Sequence, residues 1–297
     1  EYFAANYPNQ RVTIFKNDFS TFDATISTSA LVAEAKWQLA MGAPTYIETI
    51  KEKQLSVKGT TRNGVNYDVL GHRITGDTGT TLLNTYDNAI TSYDSYRQQF
   101  EEEEIKKQTR SVYKGDDSLG LTVLPITLDT YALDLQRFGL KAGVEECTRN
   151  NAMFCSQYFW PHETGISLGP DPGRALARIG WTAKSGFSSR NRKRIIRGDM
   201  LGIRHHVSCV PVVSHLVERL LVLTEGVLNP IQFTTDPRDG WRADGMKTIN
   251  AETWAMFTDV TGVSQTEAEQ LIEYFQTIVK LPCLINHPVA TRLTTRV

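Results

Sequence analysis

The chain has 297 residues, 40% hydrophobic and 22% charged, with a formal net charge of −1. At roughly 100–200 residues per domain, that length makes one large or two ordinary domains with ample apolar material for a core. The composition fits a soluble globular protein, and no uninterrupted apolar run is long enough for a membrane helix. Val12 to Phe19 is rich in β-branched and aromatic residues and reads as a short buried strand that carries Asp18 to its tip. A helix follows from Thr28 to Met41 and stops at Gly42, and a second is predicted near Tyr46 to Lys53. Leu55 to Leu70 then alternates apolar and polar residues around Asn63-Gly64, a dipeptide that favours a tight hairpin.

Thr75 to Gly79 is a loop of small residues. It leads into a long helix from Thr80 to about Gln99, where Leu82, Leu83, Tyr86, Ala89, Ile90 and Tyr93 recur at helical spacing. Ser111 to Leu124 holds two strand-like runs interrupted by Lys114-Gly115-Asp116-Asp117-Ser118, a hairpin with two carboxylates at its turn. Leu128 to Phe138 is helical and ends at Gly139. From about Trp181 the pattern changes to helices and irregular turns punctuated by Pro211, Pro230, Pro237 and Pro282, and a second domain is expected to begin there. Its clearest element starts at Ser264. Ser264 and Glu267 make a capping box ahead of Ala268, Leu271, Ile272, Phe275, Ile278 and Val279 on one helical face.

The near-neutral balance hides an acidic run, Glu101 to Glu104, and a basic one made of Arg190, Arg192, Lys193, Arg194 and Arg197. Cys147, Cys155, Cys209 and Cys283 form no C-x-x-C pair or zinc-like grouping, which favours a reduced cytosolic setting without disulfides. The chain opens at Glu1 without an initiator methionine or leader, as expected of a piece of something longer.

Asp18 at a strand tip and Asp116-Asp117 in a hairpin turn are distant in sequence, but neighbouring strands of one sheet can bring such residues together. Clustered carboxylates repel one another unless a cation lies between them. Hard oxygen ligands suit magnesium, which keeps several waters and is completed by substrate phosphates. Two such ions about 3.5–4 Å apart activate an attacking hydroxyl and stabilise the leaving oxygen of an in-line displacement. Phosphoryl transfer is the reaction these carboxylates suit. A Gly-Asp-Asp triplet alone is ordinary turn chemistry, arising by chance in roughly one chain in twenty of this length. The weight lies in an ordered set: Asp18-Phe19-Ser20-Thr21-Phe22-Asp23, then Thr75-Gly76-Asp77-Thr78-Gly79-Thr80 with Asn84, then Tyr113-Lys114-Gly115-Asp116-Asp117.

These segments resemble the RNA-dependent RNA polymerases of positive-strand RNA viruses, where Asp-x4-Asp is palm motif A, Ser/Thr-Gly-x-x-x-Thr-x-x-x-Asn is motif B and Gly-Asp-Asp is motif C. Gly64 to Asn84, reading GVNYDVLGHRITGDTGTTLLN, resembles the tombusvirus-like/flavivirus-like branch. So does Met153 to Trp181, with FCSQYF and GPDPGRALARIGW. The resemblance covers Val12 to Trp181. It implies an α+β fold with a right-hand polymerase palm, an antiparallel sheet with flanking helices, over 1–181. A finger-like insertion at about 24–70 and a mostly helical thumb over 182–297 complete the expected architecture.

By this resemblance Asp18 and Asp116 are the principal ligands of two Mg2+ ions, or Mn2+, with Asp117 beside them. Asp23, Thr80 and Asn84 read the ribose of the incoming ribonucleoside triphosphate, next to the Thr75-Gly76 loop. A 2′-hydroxyl is both donor and acceptor, and carboxylate, hydroxyl and amide groups together satisfy it. Reverse transcriptases carry a bulky aromatic where this chain has Asp23. Thr75 replaces the more common serine, keeping the hydroxyl and adding a methyl to a loop associated with translocation. Lys141 falls where the family often has a lysine that protonates the departing pyrophosphate; a solvated lysine favouring a helix dipole is an equal reading. Phe154-Cys155-Ser156 resembles the hairpin that supports the primer strand, with Cys155 read as a small apolar filler. The basic run at Arg190 to Arg197 reads either as contacts to duplex phosphates or as a solvated face. His205, His206 and His215 lack partners at a recognised ligand spacing and are read as structural.

The implied partners are an RNA template and product duplex, ribonucleoside triphosphates, and a basic finger region in an N-terminal part of a longer chain. The implied setting is the host cytoplasm, at membrane-associated replication complexes reached through regions outside this chain. Two other classes stay open. One is a catalytically inactive RNA-binding or replication-scaffold protein with a polymerase fold, against which the intact Asp18, Asp116 and Asp117 weigh. The other is a different two-metal nucleotide enzyme, a cyclase or hydrolase, against which Thr80 and Asn84 weigh.

Overall fold

The computed structural model describes residues 2–77, 79–181, 188–231, 247–281 and 283–295. Thr78, Pro237 and Pro282 lie outside the described residues, and the side chain of Arg190 does too. The chain divides into two compact units, Glu1–Cys155 and Ser156–Val297.

After a short helix α1, Tyr2–Asn6, the first unit is built on a four-stranded antiparallel sheet in the order β4-β5-β1-β6. Its strands are β1 (Thr13–Phe19), β4 (Thr109–Lys114), β5 (Asp117–Thr122) and β6 (Ala142–Cys147). Alternation along β1 buries Phe15, Asn17 and Phe19 and leaves Asp18 exposed on the other face. Phe15 meets Tyr131 edge-on at 5.3 Å between ring centroids and Tyr96 at 6.3 Å. Gly120, its partner across the sheet, makes room for the ring, because a Cβ there would lie 2.7 Å from it. Burying each such side chain is worth about 1.5–3 kcal/mol, and Leu31, Ile105, Leu135 and Leu140 extend the same core.

Between β1 and the remaining strands the chain makes α2 (Phe22–Thr25), α3 (Thr28–Ala40), α4 (Tyr46–Gln54) and a hairpin of β2 (Ser56–Thr60) with β3 (Asn66–Leu70). α3, α4 and the hairpin are the elements predicted there, and the short α2 is an addition to them. Helix α5 (Thr80–Arg97) packs on β4 and on α7 (Leu128–Gln136). The acidic run forms the start of α6 (Glu102–Gln108), where Glu101 and Glu104 make a capping box and the carboxylates face the positive end of the helix. Strand β7 (Met153–Phe154) ends the unit.

Helix α5 departs from its apolar pattern. Leu82 and Ile90 are exposed, while Asn84, Asp87, Asn88, Thr91, Ser92 and Ser95 are buried. Buried polar groups need partners, and this face finds them in a buried arginine and in the backbone of the β4–β5 turn.

The second unit opens with a hairpin of β8 (Gln157–His162) and β9 (Gly165–Pro170). Its helices are α8 (Pro172–Arg178), α9 (Ser189–Val207), α10 (Val213–Leu223), α11 (Ala251–Thr261), α12 (Gln265–Thr277) and α13 (Pro288–Thr294). Trp160, Met200, Val217, Phe257, Leu271 and Phe275 form its core. The predicted capping box of Ser264 and Glu267 starts α12, but the helix ends at Thr277. Val279, expected on its packing face, is therefore exposed. The architecture is α+β: an antiparallel sheet with flanking helices, followed by a mostly helical region among the described residues.

Candidate active site

Strand register decides where the carboxylates lie. β1 pairs with β5 up to Asn17 opposite Ser118, and β4 pairs with β5 up to Lys114 opposite Asp117. One step further along β1, Asp18 stands level with Asp117, and Gly115-Asp116 is left as a two-residue turn. Gly115 has φ 62, the positive value a tight hairpin takes at its first position. Asp18, Asp116 and Asp117 are all exposed at this end of the sheet. Partial desolvation of the carboxyl by its neighbours raises Asp117 above its ordinary value, and the charges of Asp116 and Asp18 raise it further. Asp117 thus feels both other carboxylates, as clustered like charges require.

Cys155 is half-buried, and the nearness of its thiol opposes the rise at Asp117. The backbone bends left-handed at Cys155 and Ser156, with φ 53 and 59, so β7 ends in a tight turn. Among the described residues no group of three His, Cys, Asp or Glu forms a ready-made metal cage. The donor set nevertheless fits a divalent cation. The charges of Asp116 and Asp18 add to desolvation in raising the Asp117 carboxyl, and a cation held by the three hard carboxylates would remove that repulsion.

Two residues of α5 hold the acidic turn, and neither was singled out in the sequence. Asn88 is fully buried, and its side-chain amide donates to the carbonyls of Gly115, Asp116 and Asp117 at 3.2, 3.0 and 3.3 Å. Thr85 Oγ1 accepts from Gly115 N at 2.7 Å. They lie three residues apart, on one helical face.

Asp23 on α2 is hydrogen-bonded to both ends of the Thr75–Asn84 motif. Thr75 Oγ1 donates to Asp23 Oδ2, and Asn84 Nδ2 donates to Asp23 Oδ1 at 2.7 Å. Gly76 is exposed in the loop with φ 89. Thr80 donates its hydroxyl to the Ile74 carbonyl at 2.8 Å, closing the loop onto the start of α5. The structure therefore brings Asp23, Thr75 and Asn84 together directly and uses the Thr80 proton to shape the loop.

Behind Asn84 lies a buried ionic network. Arg73 Nε donates to Asn84 Oδ1 at 2.8 Å, and its guanidinium also pairs with Glu34 and with Asp87. Lys51 Nζ reaches Glu34 Oε2 at 2.5 Å. Burial works against an ionised Glu34, but hydrogen bonds from Arg73, Lys51 and Asp87 outweigh it and hold the carboxyl below its ordinary value. Burial, with the hydrogen bond to Glu34 and its charge, pushes Asp87 up to about 8.

Lys141 is exposed just beyond the Phe19–Ala142 pair, and its carbonyl accepts from Ser20 N at 2.9 Å. It lies at the Asp18 end of β1. The basic run in α9 divides. Arg194 donates to the Asn229 carbonyl at 2.7 Å, and Arg197 donates to those of Leu221 and Thr224 at 3.3 and 3.1 Å, at the C-terminal end of α10. Arg192 and Lys193 are exposed. His215 is half-buried, and desolvation lowers its pKa, consistent with a structural role.

No helix among the described residues is long and apolar enough to cross a membrane. Residues 4–189 match the family described as RNA dependent RNA polymerase. No curated protein matches the chain.

Proposed function

The chain belongs to the RNA-dependent RNA polymerase family, whose members are RNA-directed nucleotidyltransferases, and we propose that it joins ribonucleoside triphosphates to an RNA 3′-hydroxyl in replicating a viral genome. One observation carries this reading. The β1–β5 register brings Asp18 level with the Asp116-Asp117 turn, while Asn84 and Thr75 converge on Asp23.

In this reading Asp18 and Asp116 hold two Mg2+ ions, or Mn2+, with Asp117 beside them. When bound, the ions supply charge neutralisation for the triphosphate and activation of the attacking hydroxyl. The other roles fall to side chains. Asp23 accepts two hydrogen bonds already and keeps further lone pairs, and Asn84 keeps a second N–H. Together they suit the 2′-hydroxyl, a donor and acceptor, and a deoxyribose leaves both unpaired. Thr75, Gly76 and Thr80 shape the loop beside that pocket. Lys141 donates a proton to the departing pyrophosphate.

Arg192 and Lys193 contact RNA phosphates, a role the sequence also gives Arg190, while Arg194 and Arg197 tie α9 to the chain at Asn229 and to the end of α10. The palm spans 1–181, with the insertion at about 24–70, and the thumb spans 182–297. The segments around Gly64 to Asn84 and Met153 to Trp181 support the tombusvirus-like/flavivirus-like branch. The setting is the host cytoplasm, at membrane-associated replication complexes. The test is template-dependent incorporation with matched ribo- and deoxyribonucleotides. Incorporation selective for ribonucleotides, with selectivity lost in Asp23→Ala and Asn84→Ala, supports the reading; no incorporation, or equal use of both sugars, refutes it.

A further inference from the structure

We propose that Arg73 is a positioning residue for sugar selection: clamped by Glu34 and Asp87, its guanidinium fixes the Asn84 side chain so that the amide nitrogen points to Asp23. The inference rests on the ribose-reading role given above to Asp23 and Asn84.

An asparagine amide has two orientations of similar shape that exchange its oxygen and nitrogen. A guanidinium can only donate and an ionised carboxylate can only accept. With Arg73 Nε on one side at 2.8 Å and Asp23 Oδ1 on the other at 2.7 Å, one orientation makes both hydrogen bonds and the other makes neither. Arg73 thus converts a freely flipping amide into one with its N–H groups on the Asp23 side.

Arg73 is itself fixed from several directions. Its Nη1 and Nη2 both reach the Glu34 carboxylate on α3, and Nη2 also reaches Asp87 Oδ2 on α5 at 2.9 Å. Glu34 is completely buried and Arg73 is 7% exposed, so neither exchanges its partners for water. The backbone is held too: Gly71 N, His72 N and Arg73 N donate to the carbonyls of Leu55, Ile26 and Asp23 at 2.8, 3.0 and 2.9 Å. His72 has φ 103, a conformation that a residue with a side chain rarely adopts, and these three bonds hold the chain through it. The Asp23 backbone therefore fixes Arg73, and the Asp23 side chain meets Asn84, closing a ring of contacts. Glu34 and Lys51 belong to α3 and α4, so the insertion takes part in setting the sugar pocket.

A lysine at 73 keeps the charge but lacks the planar fork, and cannot hold Glu34, Asp87 and Asn84 at once. The experiment compares Arg73→Lys and the Glu34→Gln/Arg73→Gln variant, which keeps the net charge, with the parent chain, using two readouts. The first is the NMR signal of the Asn84 side-chain amide, assigned through Asn84→Ala, which does not depend on activity. The second is the ratio of kcat/KM for a ribonucleotide to that for its deoxy counterpart.

In folded variants we expect the Asn84 amide protons to exchange faster with water. We also expect the ratio to fall about tenfold, the scale of one hydrogen bond, towards the Asn84→Ala value. Unchanged amide signals and an unchanged ratio in either folded variant overturn the inference. So does a loss of stability with sugar selection intact. A parent chain that makes no RNA removes the polymerase reading instead, and the amide signal alone then decides whether Arg73 orients Asn84.

Discussion

Asn88 binds the backbone carbonyl of Asp116 at 3.0 Å from a fully buried position on α5, and the same amide reaches the carbonyls on either side. The helix after the Thr75–Gly79 loop therefore fixes the turn that carries Asp116 and Asp117, the proposed catalytic carboxylates. Asn88→Asp is nearly isosteric but replaces the donor with an acceptor. It is expected to cost about 1–3 kcal/mol of stability. With Asp116 displaced, kcat should fall about ten- to a hundredfold with little change in nucleotide KM. Steady-state kinetics with a parallel melting curve check this, and an unchanged kcat contradicts it.

Glu34 neutralises two buried cations, Arg73 and Lys51. Glu34→Ala strands both, and losing one partner of such a buried set typically costs about 3–5 kcal/mol. Urea denaturation should show a loss of that size, whereas Glu102→Ala, in an exposed pair with Lys106, should leave the unfolding midpoint unchanged.

Asp87 titrates near 8 in the folded chain, against about 4 when unfolded. Between these values the folded state keeps a proton that the unfolded state has lost. This group's contribution to stability is therefore full below about pH 4, falls as pH rises and levels off above about 8. Asparagine keeps a donor and an acceptor there and does not ionise. The Tm of Asp87→Asn relative to the parent should rise steadily from pH 5 to pH 8, and parallel curves for the two proteins contradict the assignment.

The basic run should separate into two classes. Arg192→Ala with Lys193→Ala should weaken RNA binding and lower the slope of log affinity against log salt by about two. Arg197→Ala should leave that slope within about one contact and reduce stability by about 1 kcal/mol, because it removes donors from the last carbonyls of α10. Filter binding across a salt series distinguishes them, and equal slopes for all variants contradict the division.

Much of this is legible in the sequence for physical reasons. The period-two alternation of β1 fixes which side chains face out, so Asp18 can be placed at a strand tip. Gly-Asp between strand-like runs selects a tight turn. The glycines at 42 and 139 take positive φ just past the helices they were expected to end. What stays hidden depends on partners far along the chain. Periodicity in α5 follows its apolar residues, but the face that turns inward is polar, because its partners are the carbonyls at 115–117 and the guanidinium of Arg73. Arg73 reads as one more loop arginine until Glu34, 39 residues away, is seen beside it. Charge alone could not separate Arg197 from Arg192, since only the fold supplies the carbonyls of Leu221 and Thr224.

The central claim is that Asp18 and the Asp116-Asp117 turn form one catalytic centre. Its most direct test is magnesium-dependent ribonucleotide incorporation on an RNA template by the parent protein, beside Asp18→Ala and Asp116→Ala variants shown to be folded. Activity is expected in the parent, disappearing on chelation of the metal and falling to background in both variants. Substantial synthesis by either variant would contradict the claim.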